Sequence, residues 1–455
     1  MFTRLYKRYV LSALMLVSTL NVLDRALMIL LLEPIKEDLH LSDSELGFLT
    51  GIAFGLFYAT LGVPIARWAD RGNRVNIISL AISIWGATVM LCLFVTSFVQ
   101  LVFARIAAAI GESGCMPPSY SLVGDYFPGS AERTRAMSIY MLADPTCIMM
   151  SFVAGGYVNE HYGWRTAFFL IGIPAPIVAA LVKLTVRESR LANKDRSAAT
   201  PPSPRIGEVL RMLWHQRASR HLAIGIILFF TMGVGLTPWY AAFLMRNHGM
   251  GTGELGVWLG LIFGLGGIAG TLLGGHVAAR WFSKNDSGQI RLSAIVVGCL
   301  VPLITIFLGV PGKHQALFAL IPVTLAGSYI FGPTFALMQR LVPDRMRATT
   351  MAVVMLLGNL IGMGIGPQSV GLLSDGLAPI VGADSLRYAM MAVSFVALWS
   401  AYHFWKVGST VEKDLAMIAD LKAASAATDA LPDTVIELKS SEQTPAHWQE
   451  GAGRA

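Results

Sequence analysis

The chain has 455 residues, of which 54% are hydrophobic and only 14% charged, with a formal net charge of +7. Soluble globular proteins carry about 25% charged residues, so a single water-soluble core is excluded. The positions of the basic residues mark membrane topology and exclude nucleic-acid binding as their purpose.

Apolar residues come in blocks close to the roughly 20 that cross a bilayer core of about 30 Å as a helix. Twelve are expected: 10–32, 45–66, 76–96, 99–122, 136–158, 166–186, 219–245, 254–280, 292–310, 315–340, 348–373 and 386–406. The first is too long for a signal-peptide core, contains Asp24 and lacks an A-x-A cleavage site, so it reads as a retained span. Between the sixth and seventh lies a stretch rich in Lys, Arg, Ser, Ala and Pro. Its end, Ile206 to Arg217, is expected to form an amphipathic surface helix with Ile206, Val209, Leu210, Leu213 and Trp214 on one side. The domains are then a six-helix bundle over 1–186, a cytoplasmic linker over 187–218, a second bundle over 219–407 and a cytoplasmic tail over 408–455. The tail is expected to be helical from Val411 to Ala424 and disordered beyond. Cys92, Cys115, Cys147 and Cys299 fall inside spans, as small buried hydrophobes.

Of the 35 Lys and Arg residues, only Lys36, Arg165, Arg246, Lys313 and Arg387 fall on one side of this topology, and Arg25 and Arg105 lie within spans. All the rest occupy the side of the two termini, which the positive-inside rule makes cytoplasmic. Three correspondences mark an internal duplication. Ala66-Arg67-Trp68 matches Ala279-Arg280-Trp281, Pro117 and Pro128 match Pro333 and Pro343, and Glu132-Arg133-Thr134-Arg135-Ala136 matches Asp344-Arg345-Met346-Arg347-Ala348. Parallel six-helix halves are a transporter plan, with the substrate site between them near the midplane.

The turn after the second span, Asp70-Arg71-Gly72-Asn73-Arg74, resembles the loop signature G-x-x-x-D-R-x-G-R-R of the major facilitator superfamily. It departs at Ala66, Asn73 and Val75. Asn21-x-x-Asp24-Arg25, Arg105-x6-Glu112, Gly124-Asp125-Tyr126-Phe127-Pro128 and Asn359-Leu360-Ile361-Gly362 resemble the spinster branch of that superfamily. The resemblance implies two pseudo-symmetric six-helix bundles, with spans one, four, seven and ten lining the cavity. It also implies a lipid-like substrate, such as a lysophospholipid or sphingosine-type phosphate, moved with protons.

Ionisable side chains inside hydrocarbon cost several kcal/mol and mark function by default. Asp24 and Arg105 are expected at similar depth, within pairing reach. Glu112, seven residues beyond Arg105, returns to nearly the same helix face about 10 Å further on, with Gly111, Ser113 and Gly114 leaving room around it. Desolvation favours a neutral carboxyl, whereas a nearby guanidinium favours the charged form. Asp24 and Glu112 are therefore the expected proton carriers in a shared aqueous crevice, with Arg105 as their switchable partner. Arg25, turned about 100° from Asp24, is a candidate contact for an anionic head, and Arg105 and Glu112 are substrate candidates too. The second half offers Trp239, Tyr240 and Asn359 for an apolar substrate body. Asp70, Arg71, Arg74, Glu132, Arg133 and Arg135 are expected to form an inner-side gating cluster. Asp144, beside Pro145, is placed at a kink, and His276 at a polar helix interface.

No G-x-x-x-x-G-K-[ST] phosphate loop and no H-E-x-x-H or C-x-x-C pair is present, and the histidines are scattered, so no cofactor, no metal site and no enzyme activity is expected. The reading is a monomeric secondary transporter of the bacterial inner membrane, working by alternating access on an amphiphile in contact with membrane lipids. A multidrug or sugar-type porter and a non-transporting ligand-sensing receptor are the alternatives.

Overall fold

The computed structural model describes residues 3–189, 206–282, 285–343 and 346–429, and every regular element among them is helical. In the first half these are α1 (Arg4–Leu39), α2 (Asp43–Thr50), α3 (Ile52–Arg71), α4 (Arg74–Leu91), α5 (Phe98–Ser113), α6 (Met116–Tyr126), α7 (Ser130–Met141), α8 (Ala143–Tyr162), α9 (Trp164–Gly172) and α10 (Pro174–Thr185). After α11 (Ile206–His215) come α12 (Arg217–His248), α13 (Thr252–Trp281), α14 (Asp286–Gly309), α15 (Lys313–Tyr329), α16 (Phe331–Arg340), α17 (Arg347–Val381), α18 (Ser385–Ser394), α19 (Val396–Val407) and α20 (Val411–Asp429).

Eleven stretches among the described residues are long and apolar enough to cross a membrane. The last, Thr349–Val407, holds 59 residues. Straight, it would run about 90 Å at 1.5 Å per residue, three times a bilayer core. It turns instead at the short helical turn Gly382–Asp384, where Gly382 takes φ 61°. The fold is an all-α polytopic membrane fold, consistent with two six-helix bundles.

Several expected single spans are broken. The fourth divides at Gly114, just before Pro117 and Pro118, whose missing N–H groups and rings cannot continue the ladder above them. The fifth breaks at Leu142, ahead of the kink expected at Asp144–Pro145. The surface helix forms as α11, and the tail helix runs past Ala424 to Asp429. The proposed linker core 190–205, the Asp344-Arg345 copy of the repeat and the tail from 430 lie outside the described residues. The matching tryptophans of the repeat, Trp68 and Trp281, both sit exposed at helix ends. Cys299 is exposed, unlike the other three cysteines, because its helix turns it outward.

Ion pairs join the far ends of α1 and α12 through Arg246, and Asp414 of α20 accepts a bond from Ala218 at the start of α12. The start of α1 and α20 therefore share one face, the terminal face, and the opposite one is the distal face. Two glycine-lined seams between the halves open from distal to terminal. Along the first, a Cβ on Gly371 would collide with the Asp43 carbonyl. One on Gly47 would lie 2.7 Å from Pro367 O, one on Gly51 2.8 Å from Gly364 O, and one on Gly55 3.1 Å from Met363 Cβ. At Gly62, nothing lies within 4 Å. Along the second, Gly156 and Gly256 touch backbone of the facing helix, whereas a Cβ on Gly260 or Gly264 would clear α8 by 3.3 and 3.6 Å. The halves are shut distally and splayed toward the terminal face.

Candidate functional site

The buried charges of the first half form two crossed pairs. Arg105 of α5 donates to Asp24 of α1 at 2.7 Å, and Trp85 Nε1 supplies the other oxygen of Asp24 at 3.0 Å. Glu112 pairs with Arg25, at 2.7 Å, rather than with Arg105. The 100° that separates Asp24 from Arg25 on α1 sends their side chains to successive levels of α5, so one helix contributes both signs to the other. Asn21 ties the same two helices by donating to the Glu112 carbonyl at 3.3 Å. Phe54 of α3 lies under both guanidinium groups, 5.1 Å from that of Arg25 and 4.8 Å from that of Arg105, and Tyr58 lies 5.0 Å from Arg25. Such cation–π contacts help hold a cation away from water.

The expected shared aqueous crevice is not what surrounds the carboxylates. Asp24 and Glu112 are both 0% exposed, and Arg25, at 22%, is the member that meets open space. Phe54, Tyr58 and the Arg25 head cover the acids. The glycines expected to leave room beside Glu112 are filled by α4: a Cβ on Gly111 would meet the Trp85 backbone at 2.7 Å, and one on Gly114 the Ala81 side chain. A small cavity, of single-water size, lies behind the Asp24–Arg105 pair among Thr88, Cys92, Leu101 and Phe168. Neither oxygen of Glu112 has a well-formed hydrogen bond, so its neutral form would lose only the ion pair.

In the second half, Trp239 is fully buried and spends its N–H on Pro367 O at 3.3 Å. Tyr240 is 5% exposed between Phe263 and Phe307. In this conformation both pack helices together and do not line the opening. Asn359 is half-buried on α17, between Gly358 and Gly362, which seat Phe230. Asp144 is half-buried in the first turn of α8, and His276 is exposed.

The expected gating cluster divides. Arg74 is 0% exposed and turns inward within the first half, pairing with Glu188 and, at 2.7 Å, with Asp125. It also donates to Ser121 at 2.7 Å and Ser189 at 2.9 Å. It therefore locks the ends of three spans of one half, because its position at the start of α4 aims it into that bundle. Arg133 donates to the carbonyls of Phe127 and Gly124, and Glu132, Arg133 and Arg135 are exposed. The side chains of Asp70 and Arg71 lie outside the described residues.

The charge network that does cross between the halves was missed. At the distal end Arg246 of α12 donates to Glu33 at 2.7 Å and grips Asp43 with both terminal nitrogens, at 2.8 and 2.7 Å. Lys36 and Ser374 each reach Asp43 at 2.6 Å. Asp375 of α17 accepts the amides of Asp43 and Ser44 at 3.0 and 2.7 Å, capping α2 from the other half, where the helix dipole favours a carboxylate. The available signal was that Arg246 and Lys36 are two of the few cations on the cation-poor side.

Residues 14–367 match the profile of the Major Facilitator Superfamily. An MFS-type efflux pump of Mycolicibacterium smegmatis is 32% identical over 410 residues, covering 89% of this chain and 93% of that protein. Protein spinster homolog 1 of Xenopus tropicalis is 24% identical over 434 residues, covering 88% and 80%. The crystal structure of a bacterial homolog of the human lysosomal transporter spinster, inward-facing and unoccupied, superposes with a TM-score of 0.80 at 28% identity, covering 91% of this chain and 99% of that one. The chain belongs to the major facilitator superfamily. It is a secondary transporter of small organic solutes and not an enzyme.

Proposed function

We propose that this is a proton-coupled transporter of the spinster branch that carries an anionic, lipid-like amphiphile by alternating access. In this reading twelve spans form two six-helix halves, over 1–186 and 219–407, joined by the linker 187–218. The terminal face is cytoplasmic in a bacterial inner membrane, so the splayed conformation is inward-facing. The observation that carries the reading is the Arg25–Glu112 pair, one partner buried and the other reaching open space.

The coupling follows from competition for one guanidinium. While Glu112 is ionised it occupies Arg25. An anionic head entering the opening competes for Arg25 and draws it off the acid it covers, which admits water to Glu112. A protonated Glu112 no longer attracts Arg25, which is then free to hold the anion. Proton and anion thus favour each other's binding, and by linkage the coupling is reciprocal. Asp24, held by Arg105 and Trp85, is the second carboxylate and keeps α1 and α5 in register while Glu112 changes charge. One proton moving with one monoanion transfers no net charge, so the pH gradient is the driving force, about tenfold per unit.

A second reading rests on the efflux-pump relative at 32% identity. There a cationic solute would take the place of Arg25 on ionised Glu112, and a proton would expel it, giving exchange instead of co-movement. Proteoliposomes decide between them. An imposed pH gradient should concentrate a lysophosphatidate-type anion on the alkaline side in the first case, and drive a lipophilic cation toward the acidic side in the second. Gradient-independent flux of both would overturn the coupling, and no flux of either would favour the receptor.

A further inference from the structure

The geometry points to a docking site for anionic phospholipid headgroups on α11, which would fasten the second half to the leaflet at the terminal face. This inference is independent of the transported solute. On α11, Val209 and Leu213 are buried, at 0% and 6% exposure, against α12 and α17. Ile206, Leu210 and Trp214 follow one another at helical steps of four, advancing about 40° each time. They remain 49%, 45% and 64% exposed. The apolar arc of this helix is therefore wider than the protein beneath it, and the uncovered part is continuous.

Position and charge say what covers that arc. Only Gln216 separates α11 from α12, a membrane-crossing helix that begins at Arg217, so the arc lies at the edge of the hydrocarbon. Tryptophan favours that boundary because its ring is apolar with one polar N–H. Arg211 and Arg217 are both exposed beside the arc, Arg211 at its polar margin and Arg217 at its end. Arg220 is already committed: its guanidinium lies 5.6 Å from the Trp214 ring and donates to the Trp214 carbonyl at 3.3 Å, which orients the indole. An amphipathic helix with apolar residues toward the acyl chains and arginines at headgroup level binds anionic lipid over neutral lipid. The occupant proposed is the phosphate of a phosphatidylglycerol-type lipid between Arg211 and Arg217, with Ile206, Leu210 and Trp214 in the acyl region below it.

The test uses the full chain in vesicles of phosphatidylcholine, with and without phosphatidylglycerol. The Trp214 signal is the difference between wild type and Trp214→Phe. It should be quenched by phosphatidylcholine brominated on its acyl chain and protected from aqueous iodide. Quenching by iodide instead would mean a solvated helix, and shielding from both would mean a protein contact; either result overturns the proposal. The headgroup half is read from phosphatidylglycerol retained on purification. R211Q and R217Q should each lower its preference over phosphatidylcholine about fivefold, and an unchanged preference in the double variant would overturn it.

Discussion

Arginine–carboxylate clusters occur at two kinds of place in this transporter, and they differ in what a rocking motion asks of them. The Asp24–Arg105 and Arg74–Glu188 groups lie inside the first half, so they travel with it unbroken. The Arg246 group joins Glu33 and Asp43 of the first half to α12 of the second, and must come apart whenever the distal seam opens. The arginines of the inner groups are the more deeply buried: the side chains of Arg74 and Arg105 are 0% and 5% exposed, whereas that of Arg246 is 17% exposed. A permanent pair tolerates full burial, because its desolvation is incurred once. A latch that reopens needs water close at hand to receive its charges.

The largest expected effect tests the permanent class. R105M leaves Asp24 buried with Trp85 alone, and should destabilise the protein by about 3–5 kcal/mol in detergent unfolding. Adding Asp24→Asn should recover much of that loss, since no unpaired charge remains. If R105M instead left stability unchanged, the pair would be solvated and the contrast with the latch would fail.

Glu112→Gln sharpens the comparison from the side of chemistry. It should abolish gradient-driven accumulation while the folded yield stays near wild type, because the amide keeps the shape and frees Arg25. Full gradient dependence in this variant would remove Glu112 from the coupling.

Arg246→Ala should leave overall stability less changed but shift conformation. Losing its charged hydrogen bonds costs the distal-closed state roughly 1.5–3 kcal/mol, about a tenfold to hundredfold shift toward distal-open molecules. Pulsed electron resonance between spin labels at exposed Glu37 and Ala378 should show the longer distance gaining population. Arg74→Gln should lower the unfolding temperature and leave that distance distribution alone. Movement in the second variant but not the first would reverse the assignment of the two clusters.

The smallest effects come from the seam. Gly47→Ala adds a methyl 2.7 Å from Pro367 O across the seam and should favour the distal-open state in the same assay. Gly62→Ala, mid-helix with nothing within 4 Å, should leave that distribution unchanged and raise stability by about 0.5–1 kcal/mol.

Much of the candidate site was legible because intramembrane charge is rare enough to be conspicuous. Asp24, Arg25, Arg105 and Glu112 stand out in any reading of the sequence, and the depth of Asp24 and Arg105 was enough to pair them. The partner of Glu112 was not, since the spacing of Arg105 and Glu112 describes one helix and says nothing of which residue a second helix aims at it. Arg74 was expected in a gate because its neighbours in sequence are charged, yet its partners Asp125 and Glu188 come from the ends of other spans. Trp239 and Tyr240 were read as substrate contacts from their residue type and their place in span seven, which cannot tell a packed face from an open one.

By itself the sequence determined the membrane class, the apolar helical segments and the identity of the charges buried within them. Those follow from hydrocarbon length and from the cost of charge in it, which act on each segment locally. Only the tertiary structure decided which arginine serves which carboxylate, that Arg25 covers Glu112, and that the halves close through Arg246. Those depend on the relative rotation and register of helices far apart in the chain, and turning a helix by one residue would exchange every partner.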